Sequence, residues 1–456
     1  MGSAGISQSQ NLRRRAISAG TWSLVALVAS QVIRLGGNLV MARLLMPEMF
    51  GIMVIATTVA VVLGLLSDIG LRQNIIQSKR GDDPVFLNTA WTVQILRGLV
   101  LFFLSLCLAG LVWAAQVAGM WPVDSTYNAP LLPLVLAVTS VTAIISGFGS
   151  TKVAVAFRTF QQKKLVTIEI AAQFIGLLLM FGIGYFTRSI WALVAAGLVS
   201  ALVSTALGHL WIGGVSNRLQ WDVSALKELV RFGRWMLLSS AVGVLAMQGD
   251  RILFGGSMSA AELGVYSIAV LMLGAFETGV QRLVGAVALP AFSEAVRADD
   301  PVRLRNLYYR FRLILDVLLL FACGFLLIAS PLIVGWLYDA RYAGAGHMLA
   351  ILSLSLFTLR FTLAHQVWLA LGLTKYQAMD NLIRFFSLWT LLPLLLFIGG
   401  ADYAVWGVAL YSLPTLFLVV SINRRLSLLS VKRELLVLPV LGVGAIVGFF
   451  LTYLFS

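Results

Sequence analysis

The sequence predicts an all-α, polytopic membrane protein of about thirteen transmembrane helices. Twelve of them are expected as two six-helix lobes related by a pseudo-twofold axis along the membrane normal, with one further helix at the C-terminal end. Three observations predict this. The 456 residues are 60% hydrophobic and 11% charged, with a mean hydropathy of +0.94. Apolar runs of about 20 residues recur along the whole chain, each long enough as a helix to cross roughly 30 Å of hydrocarbon. Finally, basic residues alternate from loop to loop, and short motifs recur at a fixed separation.

The spans are expected at about 20–42, 50–71, 88–115, 131–152, 165–186, 190–213, 231–255, 264–289, 311–335, 347–371, 378–399, 403–422 and 435–455. The first run is too long for a cleavable signal peptide. With Arg13, Arg14 and Arg15 in the cytoplasm, the loops on that side hold Lys79, Arg80, Arg158, Lys163, Lys164, Arg218, Lys227, Arg297, Arg303, Arg305, Arg310, Lys375, Arg424, Arg425, Lys432 and Arg433. The opposite loops hold little beyond Arg43, Arg188 and Arg341. This is the positive-inside pattern, and it accounts for the net charge of +14 through anionic headgroups rather than nucleic acid. The stretch "EAVRADDPVRLRNLYYRFR" reads as an interfacial amphipathic helix. Trp91, Trp121, Trp191, Trp221, Trp336 and Trp406 lie near span ends, as interface anchors do. Cys107 and Cys323, each in an apolar run, are expected as thiols used as small apolar side chains. No Cys/His cluster has metal-ligand spacing.

"GTWSL" at 20–24 matches "GRWML" at 233–237, and "GIMVIA" at 51–56 matches "GVYSIA" at 264–269. Both pairs are 213 residues apart without a gap, which argues for duplication. Six spans separate the copies, so both enter the membrane in the same direction. The expected organisation is a cytoplasmic N-terminal segment (1–19), an N-lobe (20–213), a cytoplasmic linker (214–230), a C-lobe (231–424) and a basic loop with the extra span (425–456).

Polar residues follow helical spacing. Ser23, Ser30, Gln31, Arg34 and Asn38 share one face of the first span, and Thr139, Thr142, Ser146 and Ser150 one face of the fourth. Such stripes are expected to line a water-filled cavity between the lobes. Arg34 lies roughly 20 Å along its helix from Gly20; a cavity-facing position is favoured over snorkelling. Arg97, Glu277 and Arg360 stand near mid-span, where two roles are open: cavity groups, or a structural ion pair of Arg97 or Arg360 with Glu277. Asp250 and Arg251 point in different directions near a span end, where loop anchoring and function are both open. Asp316, Glu169 and Arg384 read as interfacial, and His365 as a hydrogen-bonded bundle histidine rather than a proton relay. Arginines in excess of acids suit an anionic substrate, and a diphosphate offers the charge and forked geometry that guanidinium prefers. The candidate binding set is Arg34, Gln31, Asn38, Arg97, Arg360, Asp250 and Arg251. Glu277 and Asp250 are the candidates for coupling to a proton or sodium gradient. No cofactor is expected.

"MARLLMPEMFGIMVIATTV" followed by "LLSDIGLRQNIIQ" (41–77) resembles the opening of Wzx-type oligosaccharide flippases, in the polysaccharide transport branch of the multidrug/oligosaccharidyl-lipid/polysaccharide exporter superfamily. "FRTFQQKKLVTIEIAAQFIG" with "SIWALVAAGLV" (157–199) and "FGRWMLLSSAVGVLAMQGDRILFGGSMSAAELGVYSIA" (232–269) resemble them too. The resemblance covers about residues 12 to 425 and does not specify the sugar. It implies a non-enzymatic flippase of the bacterial inner membrane. Such a protein moves an undecaprenyl-diphosphate-linked oligosaccharide to the outer leaflet by alternating access, alongside polysaccharide polymerase and export components. The rivals are a drug or metabolite antiporter of the same superfamily, which would want an acidic cavity, and a polysaccharide polymerase or ligase, which would want a sizeable outer loop with catalytic arginines or histidines.

Overall fold

The protein is described from a computed structural model covering residues 2–455. The side chains of residues 1–20, 23, 24, 232, 234–236, 238, 239, 241, 242 and 431 lie outside that description. So, therefore, do the expectations placed on Arg13, Arg14, Arg15, Gly20, Ser23 and Trp235. Among the described residues there are helices and turns and no strand.

In chain order the helices are α1 (Gly2–Leu44), α2 (Pro47–Leu66), α3 (Leu71–Gln77), α4 (Pro84–Val117), α5 (Leu132–Thr139), α6 (Val141–Gly147), α7 (Lys152–Arg158), α8 (Gln162–Thr187), α9 (Trp191–Leu210), α10 (Val223–Ser257), α11 (Ala260–Arg297), α12 (Pro301–Leu337), α13 (Gly344–Leu352), α14 (Ser355–Leu359), α15 (Thr362–Ala370), α16 (Thr374–Leu410), α17 (Thr415–Arg425), α18 (Val431–Val437) and α19 (Pro439–Phe455). Several starts are written into the sequence. Asp83 and Asp300 each precede a proline at the first helical position and accept from Val85 N at 3.0 Å and Arg303 N at 2.8 Å. Ser259 and Glu262 form a capping box at the start of α11.

By length and composition ten of the described helical stretches can cross a membrane, or eleven if a bent pair is one span. That is fewer than the thirteen expected. One difference is local: the spans expected at 378–399 and 403–422 fall within a single 52-residue stretch, Thr374–Arg425. It is interrupted at Gly399 and Gly400, where φ of Gly400 is +71°. Beyond that break Gly407 packs on Leu391, Leu392 and Leu395 of the preceding half, so the chain folds back on itself.

The chain divides into two compact units: Met1–Leu45, Ile52–Val123 and Tyr127–Val244 in the first; Met46–Gly51, Asp124–Thr126 and Leu245–Ser456 in the second. The boundary lies inside α10 rather than in the segment 214–230, which was expected to be a linker. That segment belongs to the first unit because the polar start of α4 captures its backbone. Asn88 accepts from Arg218 N at 3.1 Å, Thr92 from Gln220 N at 3.0 Å and Thr89 from Asp222 N at 3.2 Å. Ala225 and Leu229 then close a core with Leu71, Ile75, Phe86, Leu87, Ala90 and Ala154. Donation by the Ser224 hydroxyl, then by Ala225 N, holds the Asp222 carboxyl below the usual carboxylate range.

The fourth expected span is not continuous. It is α5, α6 and α7, with a 62° bend between Gly147 and Lys152. In the second unit α13, α14 and α15 are likewise a helix in three pieces. Ser140, at the first break, donates to Ala137 O at 2.5 Å; Ser353, at the corresponding break, donates to Ala350 O at 2.6 Å. These pairs are again 213 residues apart.

The glycines that carry the sequence repeat meet each other. A Cβ on Gly51 would overlap the carbonyl of Ala260, and a Cβ on Gly264 would overlap the carbonyl of Pro47. Pro47 and Ala260 are themselves 213 residues apart, so the approach of the first turns of α2 and α11 is reciprocal. The C-terminal helix, expected outside the repeated spans, packs along α12 in the second unit. Gly444 and Gly448 of α19 lie on the backbone of Phe321 and Phe325, and Gly324 of α12 lies on that of Leu441. This is small-residue packing of the kind that lets helices approach in lipid.

Gly264→Val should cost about 1–3 kcal/mol through overpacking against the Pro47 backbone, read as a lower thermal midpoint and a lower folded yield in detergent. Gly274→Val, where a Cβ meets nothing within 4 Å, should change neither. Equal behaviour of the two variants would remove the close approach as a constraint.

Candidate functional site

The break between α6 and α7 leaves carbonyls without helical donors, and lipid offers none. Side chains supply them. Gln94 Nε2 of α4 donates to the carbonyls of Ser146 (3.1 Å), Gly147 (3.1 Å) and Gly149 (2.9 Å). Phe148 O accepts from Trp91 Nε1 at 3.3 Å and from His209 Nε2 at 2.8 Å. Ser150 donates to Asn217 at 2.7 Å, and Asn217 to Thr151 at 2.6 Å.

Arg97 lies one turn beyond Gln94 on α4. Its guanidinium donates to Ser67 Oγ at 3.0 Å and to the Gly64 carbonyl at 2.5 Å. Both acceptors are neutral, and Arg97 is not among the ion pairs of the described residues. Around these two side chains the first unit is hollow. One cavity of about 490 Å³ is lined by Gly64, Asp68, Arg72, Gln73, Gln94 and Arg97 among others. A second of about 280 Å³ takes in Ser105, Ser140, Thr142 and Ser146, and a third of about 290 Å³ adds Thr151, Ser204 and Thr205. Gln94 lines all three. The result is a cleft of hydroxyls, amides and apolar side chains with two guanidinia and the Asp68 carboxylate, able to donate to phosphate oxygens and to exchange hydrogen bonds with a polyol.

Arg34 is exposed on α1 and donates to Gln31 Oε1, one turn earlier, at 2.5 Å. Asn38, one turn later, is half-buried, and its Oδ1 accepts no hydrogen bond among the described residues. None of these three lines the cavities around Gln94. α1 instead packs on α8, where Ser30 reaches Glu169 at 3.5 Å.

In the second unit most of the singled-out charges have partners. Arg360, expected on a cavity wall or paired with Glu277, is 3% exposed, with Glu434 at 2.9 Å and Asp316 at 3.7 Å. Asp316, read as interfacial, is 3% exposed and lies 2.7 Å from Arg312, which also meets Glu434 at 3.2 Å. Both guanidinia stand over the Phe361 ring, at 4.1 and 4.7 Å. Two cations and two carboxylates thus neutralise one another, three of them buried and Glu434 24% exposed. Glu277 accepts from Ser355 at 2.9 Å and is paired with neither arginine. Asp250 is buried and accepts from Tyr266 at 2.6 Å; Arg251 donates to Gln248 at 2.5 Å. Arg384, read as interfacial, is bound to the buried carboxylate of Asp380 at 2.7 Å. His365 Nε2 lies 3.5 Å from the same carboxylate. Cys323 is buried, whereas Cys107 is exposed; both are free.

The sequence signal for part of this was present. Arg312 and Asp316, and Asp380 and Arg384, are each four residues apart on one helix. Glu434 gave none, because it arrives from a distant helix. Gln94 and Arg72 gave none either, since their importance comes from the break in another helix.

Arg312→Ala should destabilise the protein by about 3–5 kcal/mol, the cost of stranding buried carboxylates. Gln94→Leu should cost about 1–3 kcal/mol by orphaning carbonyls. Arg34→Ala should leave the thermal midpoint unchanged. Unfolding in detergent checks all three; an Arg312→Ala protein as stable as the parent would contradict the buried network.

Residues 40–346 match the family described as polysaccharide biosynthesis protein. The amylovoran biosynthesis protein AmsL of Erwinia amylovora is 26% identical over 259 residues, which is 56% of this chain and 66% of that protein. The lipopolysaccharide biosynthesis protein WzxC of Escherichia coli (strain K12) is 23% identical over 68% of this chain and 60% of its own length. The succinoglycan biosynthesis transport protein ExoT of Rhizobium meliloti (strain 1021) is 22% identical over 73% and 65%. The chain spans just under two thirds of the length of these relatives. Among solved structures, the lipid II flippase MurJ in an inward closed conformation superposes with a TM-score of 0.70 at 13% identity, covering 96% of this chain and 93% of that one. An inward-facing multidrug resistance MATE family transporter of the MOP superfamily gives 0.66 at 14% identity, covering 87% and 94%. At such identities these likenesses establish the fold.

Proposed function

The chain belongs to the polysaccharide biosynthesis protein family and has the fold of MOP superfamily transporters, and from that premise we propose that it is a flippase. Its cargo is an undecaprenyl-diphosphate-linked oligosaccharide, carried from the inner to the outer leaflet by alternating access for a surface or exopolysaccharide. A diphosphate and several sugars cannot cross hydrocarbon unaided. The observation that carries this reading is Arg97. It stands about 20 Å into its helix, half-buried, held by neutral oxygens and facing a cleft of hydroxyls and amides. An anionic, polyhydroxylated headgroup is the chemistry that cleft recognises. The names of AmsL, WzxC, ExoT and MurJ point the same way. The reciprocal Gly51–Gly264 contact and the matched breaks at Ser140 and Ser353 support a duplicated architecture.

Arg34, with Gln31 and Asn38, is a second proposed contact for the diphosphate. Arg360 is compensated within its own unit, and we assign it to stability. Asp250 and Glu277, each with a single hydroxyl donor, remain the proposed groups for coupling to a proton or sodium gradient, with Arg251 beside Asp250. The protein acts without catalysing a covalent step, in the bacterial inner membrane with its N-terminus cytoplasmic, as the alternation of basic loops supports. A polymerase and export components are its proposed functional partners.

Deleting the gene should abolish the polymer and accumulate completed lipid-linked units facing the cytoplasm. Restoring the chain with Arg97→Ala, at normal protein level, should lower export about tenfold or more, the equivalent of one charge-assisted hydrogen bond; Arg97→Lys should lower it less. Full transport by Arg34→Ala would remove Arg34 from the site. Units that reach the outer face but stay short would instead indicate a polymerase. An unchanged pool of both lipid-linked units and polymer would indicate a drug or metabolite antiporter.

A further inference from the structure

α12 is 37 residues long, about 55 Å at 1.5 Å per residue, against roughly 30 Å of hydrocarbon. Its first turns therefore extend into the headgroup layer. There two cations lie over the Tyr309 ring. The guanidinium of Arg433, from α18, lies 4.2 Å from the ring centroid, and that of Arg305, one turn earlier on α12, lies 5.7 Å away. Both arginines are exposed, and neither is among the ion pairs of the described residues. The hydroxyl of the same ring is buried and has no hydrogen-bond partner among the described residues.

The same face of α12 continues in a different character. Leu313 and Val317, one and two turns beyond Tyr309, are 56% and 43% exposed. Along one stripe the helix thus presents a cation, an aromatic ring and two apolar side chains. Arg310, Arg424, Arg425 and Lys432 are exposed at the same end of the unit, where Asn423 is bonded to Tyr308 at 3.3 Å.

We propose that Arg305, Tyr309, Leu313 and Val317 of α12, with Arg433 of α18, form a binding site for an anionic membrane phospholipid. The phosphodiester pairs with the two exposed guanidinia beside the Tyr309 ring. An acyl chain runs along Leu313 and Val317. The apolar half of the stripe selects a lipid over free phosphate, and the paired cations select an anionic headgroup over a zwitterionic one. The site is independent of the transport reading, since it uses none of the cleft around Arg97.

The test uses the full chain in detergent, with thermal unfolding followed as lipid is added. Dioleoyl-phosphatidylglycerol should raise the midpoint by about 4 °C. Dioleoyl-phosphatidylethanolamine and inorganic phosphate should each give less than half of that rise. R305Q/R433Q should lose the rise, while R424Q/R425Q keeps it; Tyr309→Leu, which removes the ring beneath both cations, should reduce it. Should the double variant fold poorly, Arg433→Gln alone, an exposed change near the C-terminal end, serves the same comparison. Equal rises with both phospholipids, or a rise retained by the arginine variants, would falsify the site. An equal rise with inorganic phosphate would overturn the lipid assignment, and displacement of phosphatidylglycerol by farnesyl diphosphate would reassign the site to a prenyl diphosphate.

Discussion

A polar group inside the hydrocarbon has no water to fall back on, and the interior of this protein is arranged around that constraint. Where the fourth span breaks between α6 and α7, three carbonyls turn to one side chain, Gln94. Where three charges are buried beneath the basic end of the second unit, they are two guanidinia and a carboxylate, joined by the half-buried carboxylate of Glu434. The break makes the cleft possible: a continuous helix would need no amide at Gln94, and the hollow beside Arg97 is lined by the pieces of the broken one.

The same constraint separates charges that hold the fold from charges available to a ligand. Arg312 donates to Asp316 and Glu434, and Arg360 is held by the charge of the same two carboxylates. Their burial requires that compensation, because an unpaired guanidinium there would cost more than the local packing returns. Arg97 is less buried and makes do with a hydroxyl and a carbonyl. In the proposed transport role it would exchange these partners for an incoming anion, which asks for recognition without a trap. The C-terminal helices belong to the first category. Glu434 from α18 closes the buried quartet, and the glycines of α19 let it lie against the α12 backbone, so this segment is built into the second unit.

Close backbone approach is the other organising feature. Helices in lipid gain little from apolar burial against one another, and contact rests on shape and dispersion. Gly51 and Gly264 show this twice over. Each leaves room for the other's helix at equivalent positions, and a duplicated sequence yields a self-complementary crossing when both copies keep the glycine.

The sequence by itself determined the all-helical membrane class, the approximate places of the spans, the basic alternation of loops and the 213-residue repeat, because hydropathy, charge and residue spacing act locally along the chain. It marked Arg97 as a mid-span cation, and the four-residue spacing of Arg312 and Asp316 is legible in it, although Asp316 reads from it as interfacial. Only the tertiary structure decided which charge belonged to which role. For Arg360 the sequence left a cavity role and an ion pair with Glu277 open, and position along the span could not show that its nearest carboxylate, Glu434, comes from a helix far away in sequence. The cleft around Gln94 was hidden because it depends on a helix break that no proline announces; its glycines, Gly147 and Gly149, could equally have served packing. The linker joined the first unit because the side chains of Asn88, Thr89 and Thr92 bind its backbone across more than a hundred residues. Such contacts are set by which helices become neighbours, and that is decided only when the chain is packed.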